Sequence, residues 1–127
     1  MSVQVLLVDD SPLMRKAMKR ALNQVGIEDD NVREAGNGQE ALRVLARDPV
    51  DLILLDLNMP VMDGETFLRV VRHESKFDHV PILIVSTESN QARLDCLRGL
   101  GINGYLHKPF EPEDLRGLVG HVLEKAS

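Results

Sequence analysis

Residues 52–64 read LILLDLNMPVMDG, and this stretch indicates the fold class. Its first four residues are apolar without alternation, which is typical of a strand that is buried on both faces of a parallel sheet. Asp56 follows this strand directly and is itself followed by turn residues. Open α/β sheets bind ligands outside the carboxyl ends of their strands, so the pattern predicts that Asp56 belongs to a functional site. The alternative is an aspartate that only caps the next turn.

The composition is that of one soluble globular domain. The chain has 127 residues, of which 43% are hydrophobic and 28% are charged, and this length predicts a single domain spanning residues 1–127. The net charge of −5 argues against non-specific DNA binding through a broad basic face. The single cysteine, Cys96, excludes an intrachain disulfide and favours a reducing compartment. We expect Cys96 to be a small apolar residue, at least half buried, on the fourth helix.

The start of the chain predicts neither a signal peptide nor membrane insertion. No basic residue precedes the first apolar stretch, which ends at Asp9 and Asp10. No apolar run approaches the roughly 20 residues that span a membrane. We therefore expect a cytoplasmic protein.

Strand and helix signals alternate along the whole chain. Strands are expected at residues 3–8, 31–35, 52–55, 81–86 and 104–107. The helix signals that follow them are Ser11-Pro12, Asn37 with Glu40, Asp63-Gly64, the segment 91–100, and Glu111-Pro112. This alternation predicts an α/β fold with a doubly wound, five-stranded parallel sheet and right-handed crossovers. No linker or repeat interrupts the pattern, so we expect one domain and no output domain.

Polar or charged side chains that could bind a ligand or take part in a reaction stand at the ends of four of these strands. They are Asp9 and Asp10 after the first strand, Asp56 after the third, Ser86 at the end of the fourth and Lys108 after the fifth. Parallel strands end at one edge of the sheet, so the three carboxylates converge there and favour a hard divalent cation, Mg²⁺ or Mn²⁺. Asp56 then has the chemistry of a nucleophile for in-line phosphoryl transfer, with an acyl phosphate as product. The metal and Lys108 would neutralise charge on the transferred oxygens.

These positions resemble the receiver domain of bacterial two-component response regulators, and the resemblance covers the whole chain. The matching residues are Asp9, Asp10, Asp56, Ser86 and Lys108-Pro109. The segments 56–60, 104–105 and 108–110 are most similar to the stand-alone chemotaxis regulators of that family. The resemblance, rather than the pattern alone, implies a flavodoxin-like (βα)5 fold with strand order 2-1-3-4-5.

The resemblance implies a phosphoacceptor and a metal site. Asp56 would be phosphorylated by a sensor histidine kinase, and the protein would not be an enzyme beyond its own phosphorylation and dephosphorylation. Asp10 and Asp56 would ligate Mg²⁺ directly. Asn58 would contribute its backbone carbonyl, and Asp9 would ligate through water.

The same resemblance implies a conformational switch. Ser86 would hydrogen-bond the phosphoryl group and Lys108 would pair with it. Tyr105 would turn from an outward to an inward rotamer when Ser86 is drawn toward the site. The face formed by the fourth helix, fifth strand and fifth helix would then bind a downstream protein, with a flagellar motor switch as the leading expectation. A phosphatase is a further expected partner, and the protein is expected to be a monomer.

Four neighbouring positions refine this picture. Asn58 and Glu88 stand where the family tunes the lifetime of the phosphoryl group, and their residue types suggest a short-lived signal. Thr87 stands beside the phosphoryl-binding serine where alanine is typical, and its branched side chain would narrow access to the site. His107 stands where an apolar residue is typical. None of these departures removes a catalytic group.

Other function classes fit these residues less well. A haloacid-dehalogenase-type phosphohydrolase would place a second carboxylate two residues after its nucleophile, where this chain has Asn58. A flavodoxin-like flavin protein would need a phosphate-binding loop after the first strand, where Asp9 and Asp10 repel phosphate. Two alternatives within the family stay open: a phosphorelay shuttle between histidine phosphotransfer proteins, and a non-phosphorylated pseudo-receiver that serves as an interaction module. The sequence does not identify the cognate kinase or the target.

Overall fold

The computed structural model describes residues 2–126, which form a parallel sheet with helices on both faces. The strands are β1 (Val5–Val8), β2 (Val32–Ala35), β3 (Leu52–Leu55), β4 (Ile82–Ser86) and β5 (Gly104–His107). The helices are α1 (Pro12–Asn23), α2 (Gly38–Arg47), α3 (Gly64–His73), α4 (Gln91–Gly99) and α5 (Pro112–Ala126). The strand order is β2-β1-β3-β4-β5. The doubly wound α/β fold and its strand order are therefore confirmed.

The strands lack alternation because both faces of the sheet are covered. One core packs α2, α3 and α4 against the strand residues Leu6, Val8, Ile53, Leu55, Ile82 and Ile84. The other core packs α1 and α5 against the residues between them: Val5, Leu7, Leu52, Leu54, Leu83 and Val85. Each of these strand side chains is at most 1% exposed. The three central strands β1, β3 and β4 are therefore buried on both faces.

The edge strand β5 lies between two helices on opposite faces of the sheet. It pairs with β4, while α4 belongs to one core and α5 to the other. We call the surface of these three elements the α4–β5–α5 face. Within residues 2–126, no helix has the length and apolar character needed to cross a membrane.

Four of the helices begin at an N-cap residue whose side-chain oxygen accepts a backbone hydrogen bond. Each oxygen accepts a backbone N–H three residues further along, which satisfies a donor that the helix itself leaves unpaired. These N-cap residues are Ser11, Asn37, Asp63 and Asn90. The first three coincide with the helix starts expected from the sequence, and they place the loops after β1, β2 and β3.

Cys96 corrects an expectation from the sequence. It is exposed, whereas Leu94 and Leu97 on the same helix are buried. Residues two apart on an α-helix differ in direction by about 200°, so a helix that buries Leu94 turns Cys96 toward solvent. The expectation that Cys96 is at least half buried was therefore wrong. The first strand also begins at Val5 rather than at residue 3.

The loop between β3 and α3 folds tightly against the end of β3. The N–H of Gly64 donates to Leu57 O at 3.0 Å. A Cβ at Gly64 would lie 2.1 Å from Asp56 O and 2.8 Å from the Cα of Leu57, so only glycine fits this approach. The start of α3 is thereby packed on the backbone of the candidate phosphoacceptor.

The tip of the same loop holds a β-branched residue in the left-handed region. Val61 has a φ of 68°, and the N–H of Met62 donates to Pro60 O at 2.7 Å, which makes a γ-turn. The Val61 side chain is 77% exposed. Little packing therefore offsets a backbone strain on the order of 1–3 kcal/mol.

We expect Val61→Asn to raise the free energy of unfolding by about 0.5–1 kcal/mol, because asparagine tolerates a positive φ better than a β-branched residue does. Urea unfolding followed by circular dichroism measures the change. Val70→Asn is the matched control, since Val70 is 38% exposed in α3, and it should not stabilise the protein. A Val61→Asn protein no more stable than wild type would contradict strain at this turn.

Candidate functional site

Backbone hydrogen bonds hold the acidic residues that follow β1 and β3. The N–H of Asp9 donates to Ala35 O at 3.0 Å, and the N–H of Asp56 donates to Val8 O at 2.8 Å. Each bond extends the sheet by one residue, so both side chains leave the sheet at its carboxyl edge. Carboxylate oxygens of Asp9, Asp10 and Asp56 lie within 4.8 Å of one another. The structure thus brings together the three acids that the sequence predicts to converge.

Lys108 supplies positive charge to these acids. Its Nζ donates to Asp9 Oδ2 at 2.7 Å and lies 3.6 Å from Asp56 Oδ1. Asp9 is 1% exposed and Asp56 is 6% exposed, while Asp10 is exposed. The N–H of Lys108 donates to Ser86 O at 2.8 Å, so the pairing of β5 with β4 positions the lysine. One ammonium group therefore faces two buried carboxylates.

Burial raises the pKa of the Asp56 carboxyl above its ordinary value, because the ionised form loses solvation at this edge of the sheet. The positive charge of Lys108 opposes this increase, and the negative charge of Asp9 adds to it. The N–H groups of Asn58 and Leu57 favour the ionised form, and that of Leu57 donates to Asp56 Oδ1 at 2.8 Å. The net upward shift of the pKa means that these groups do not fully compensate the charge on Asp56.

The donor set fits a hard divalent cation. Carboxylate oxygens suit Mg²⁺, which uses few protein ligands and keeps several waters. The exposed Asp10 leaves one side of the site open to water, while Asp9 and Asp56 approach from the buried side. A divalent cation here would compensate the negative charge of the carboxylates that Lys108 does not neutralise. Ligation by the carbonyl of Asn58 stays a prediction.

Ser86 ends β4, the strand next to β3, and its side chain is fully buried. Its Oγ accepts the N–H of Glu88 at 3.3 Å. That bond uses a lone pair of the hydroxyl oxygen and leaves the hydroxyl hydrogen for another acceptor. Thr87, the next residue, is exposed. The geometry permits the phosphoryl-binding roles predicted for Ser86 and Lys108, which stay predictions, as does the effect of Thr87 on access to the site.

Tyr105 connects β5 to the backbone that follows β4. Its hydroxyl donates to Ser86 O at 3.2 Å and also contacts the carbonyl of Glu88. Burial, and secondly the negative charge of Glu88, raise the pKa of the Tyr105 phenol. The half-buried phenol therefore stays protonated at neutral pH and serves as a hydrogen-bond donor to this segment.

Two contacts of the backbone segment that follows β4 could not be predicted from the sequence. Glu88 Oε2 pairs with Arg93 Nη1 of α4 at 3.3 Å, and Arg93 Nε lies 3.6 Å from Glu65 Oε1 of α3. His107 Nε2 lies 3.0 Å from Thr87 O. The only sequence signal for the second contact is that a histidine stands where an apolar residue is typical. Nothing in the sequence singles out Arg93.

Comparisons with known proteins agree with this geometry. The family model described as "Response regulator receiver domain" matches residues 5–120. The chain is 36% identical over 126 residues to "Chemotaxis protein CheY homolog" of Campylobacter jejuni, which covers 98% of this chain and 95% of that protein. It is 37% identical over 122 residues to "Chemotaxis protein CheY1" of Helicobacter pylori, and this match covers 95% of this chain and 97% of that protein. The structure of the chemotaxis response regulator CheY4 of Vibrio cholerae matches with a TM-score of 0.86 at 36% identity and covers 96% of this chain and 99% of that one.

We expect Asp56→Asn to raise the free energy of unfolding of the metal-free protein at pH 7, on the order of 1 kcal/mol, because it removes a poorly compensated buried charge. Lys108 keeps its bond to Asp9, so no cation is stranded. The folded-state pKa of Asp56 lies above the unfolded value, so ionisation costs stability at and above the folded-state pKa. The gain should vanish as pH falls below the unfolded value of about 3.9.

Urea unfolding in EDTA at pH 7 and near pH 3.5 measures both effects. Asp30→Asn is the matched control, because Asp30 is exposed and precedes β2 at the opposite edge of the sheet. It should change stability little at either pH. If the Asp56→Asn protein is no more stable than wild type at pH 7, the charge of Asp56 is not poorly compensated in the folded protein.

Proposed function

The chain belongs to the response regulator receiver domain family, and we propose on this basis that its Asp56 accepts a phosphoryl group from a sensor histidine kinase. The proposal rests on one feature of the site. Carboxylates of Asp9, Asp10 and Asp56 lie within 4.8 Å of one another, beside the ammonium group of Lys108. Packing alone does not call for three acids and a lysine at one sheet edge, whereas phosphoryl transfer to a carboxylate does.

In the proposed reaction, a carboxylate oxygen of Asp56 attacks the phosphorus of a phosphohistidine. The oxygen–phosphorus bond of an acyl phosphate forms and the phosphorus–nitrogen bond breaks, so its electron pair returns to the kinase imidazole. Lys108 lies 3.6 Å from Asp56 Oδ1 and contributes positive charge beside the transferred oxygens. Asp9, Asp10 and Asp56 would hold Mg²⁺. When bound, the ion would supply the further positive charge that lets the Asp56 carboxylate and the anionic phosphoryl group approach each other. The chemistry is confined to this chain's own Asp56.

The phosphoryl group would act on the segment after β4. The Ser86 hydroxyl has its hydrogen available, and an ionised phosphoryl oxygen is a strong acceptor for it. Drawing Ser86 inward would move the carbonyls that Tyr105 contacts, and with them the α4–β5–α5 face. Moving a population from 1:99 to 99:1 takes about 5.5 kcal/mol. Two or three charge-assisted hydrogen bonds, at roughly 1.5–3 kcal/mol each, supply that amount.

Glu88, Asn58 and Thr87 would set how long the signal lasts. Glu88 is held by Arg93 at 3.3 Å, which keeps its carboxylate against α4. Asn58 and Thr87 are exposed, so that their side chains would meet an incoming donor, phosphatase or water. Their sizes and polarities would therefore control the rates of phosphorylation and dephosphorylation.

The names of the relatives, which are chemotaxis proteins, support a role of this chain in chemotaxis or motility. In this role the α4–β5–α5 face would bind a downstream protein once Asp56 is phosphorylated. A flagellar motor switch is the leading candidate for that protein, and a phosphatase would end the signal.

We expect the wild-type chain, incubated with a small-molecule phosphodonor and Mg²⁺, to acquire one phosphoryl group, detected as a single adduct by intact mass. The adduct should be absent with EDTA, because three carboxylates whose charge Lys108 compensates only in part repel an anionic donor. Asp56→Asn should also abolish it, since the amide is not a nucleophile of this kind.

Asp51→Asn is the matched control, because Asp51 is an exposed acid at the opposite end of β3, and it should be phosphorylated like wild type. An adduct that survives in Asp56→Asn would assign the acceptor to another residue. Folded wild-type protein that gains no adduct under any condition would indicate a pseudo-receiver.

A further inference from the structure

The segment between β4 and α4, residues 87–90, has little burial to hold it in place; we call it the β4–α4 loop. Thr87, Ser89 and Asn90 are exposed, and Glu88 is half-buried. A segment with few buried apolar contacts opens at low cost. The position of the loop therefore depends on polar contacts, which include the Glu88–Arg93 pair and the hydrogen bonds that the loop backbone accepts.

Side chains of β5 contact three consecutive backbone carbonyls where β4 runs into this loop. Ser86 O accepts the Tyr105 hydroxyl at 3.2 Å. Thr87 O lies 3.0 Å from His107 Nε2. The carbonyl of Glu88 also contacts the Tyr105 hydroxyl. Two neighbouring β5 side chains thus hold the start of the loop between them.

The contact made by His107 has a defined direction. A backbone carbonyl only accepts hydrogen bonds, so Nε2 of His107 carries the hydrogen. His107 lies opposite Ser86 in the β4–β5 register and two residues after Tyr105, so both rings project from the same side of β5. The ring centroids are 6.5 Å apart. The two donors therefore stand side by side along the loop.

We propose that His107 is a positioning residue for the Tyr105 contact: it holds the Thr87 carbonyl and keeps the β4–α4 loop within reach of the Tyr105 hydroxyl. This inference rests on the proposed function only in treating the loop as the moving part of a phosphorylation switch. An apolar residue at this position would donate nothing, and of these two β5 side chains only Tyr105 would still hold the loop. His107 thereby sets how readily the loop and the α4–β5–α5 face change position.

The unphosphorylated protein tests this role without any phosphodonor. His107→Leu removes the donor, while His107→Gln keeps an N–H at similar reach. Hydrogen exchange of the amides of residues 87–90, followed by NMR, measures loop opening. Fluorescence of Tyr105 is a second readout, because the chain has one tyrosine and no tryptophan. His121→Leu replaces another exposed histidine, on α5, and is the matched control.

We expect His107→Leu to accelerate exchange of these amides by about threefold to tenfold and to shift the Tyr105 emission. The urea midpoint should stay close to that of wild type. His107→Gln should restore both loop readouts, and His121→Leu should change neither. Because both donors hold one loop, the accelerations caused by Tyr105→Phe and His107→Leu should not simply multiply in the double variant.

The role fails if His107→Leu leaves loop exchange and Tyr105 emission unchanged, or if the two single accelerations multiply. It also fails if His107→Gln behaves like His107→Leu and both lower the urea midpoint, since His107 would then only support the edge strand. If Asp56 takes no phosphoryl group while the His107 variants behave as expected, the proposed function fails and the loop contact stands.

Discussion

Three carboxylates meet at the carboxyl edge of the sheet because the backbone leaves their side chains little other direction. The N–H groups of Asp9 and Asp56 extend the strand ladders by one residue, and the strands beneath them are buried on both faces. Burying like charges together is costly unless opposite charge compensates them. Lys108 compensates only part, since the pKa of Asp56 stays raised. The affinity proposed for a cation and the reactivity proposed for Asp56 both follow from this imbalance.

The strands and the loop after β4 differ in what holds them. Strand side chains of the two cores are at most 1% exposed, so the acids and Lys108 sit on a support that moves little. The β4–α4 loop is mostly exposed and is held by polar contacts, among them those with Tyr105, His107 and Arg93. A phosphoryl group that recruits the Ser86 hydroxyl would thus redirect hydrogen bonds in the part of the site that is least buried. This difference in support accounts for how one covalent change at Asp56 would alter a surface on the far side of β5.

The sequence predicted the fold and the acidic cluster because both follow from short-range rules. Uninterrupted apolar runs mark strands buried on both faces, and parallel strands bring their terminal acids to one edge. The strand order came from family resemblance, since helix and strand signals do not specify which strands are neighbours. The contacts of His107 and Arg93 could not be predicted from the sequence, because they join the exposed His107 and the half-buried Arg93 to a loop whose path depends on the whole fold. Cys96 was misplaced because the weakly amphipathic α4 gives little sign of which side is buried.

Calorimetric titration of Mg²⁺ into the wild type and Asp10→Asn tests whether the three acids form a cation site. Asp10 is exposed, so its replacement should leave the fold intact while removing one charged ligand. We expect one Mg²⁺ per wild-type chain, an affinity at least about tenfold weaker in Asp10→Asn, and no change in Asp30→Asn. Absence of Mg²⁺ binding, or binding that Asp10→Asn leaves unchanged, would contradict the claim that these three acids form a cation site.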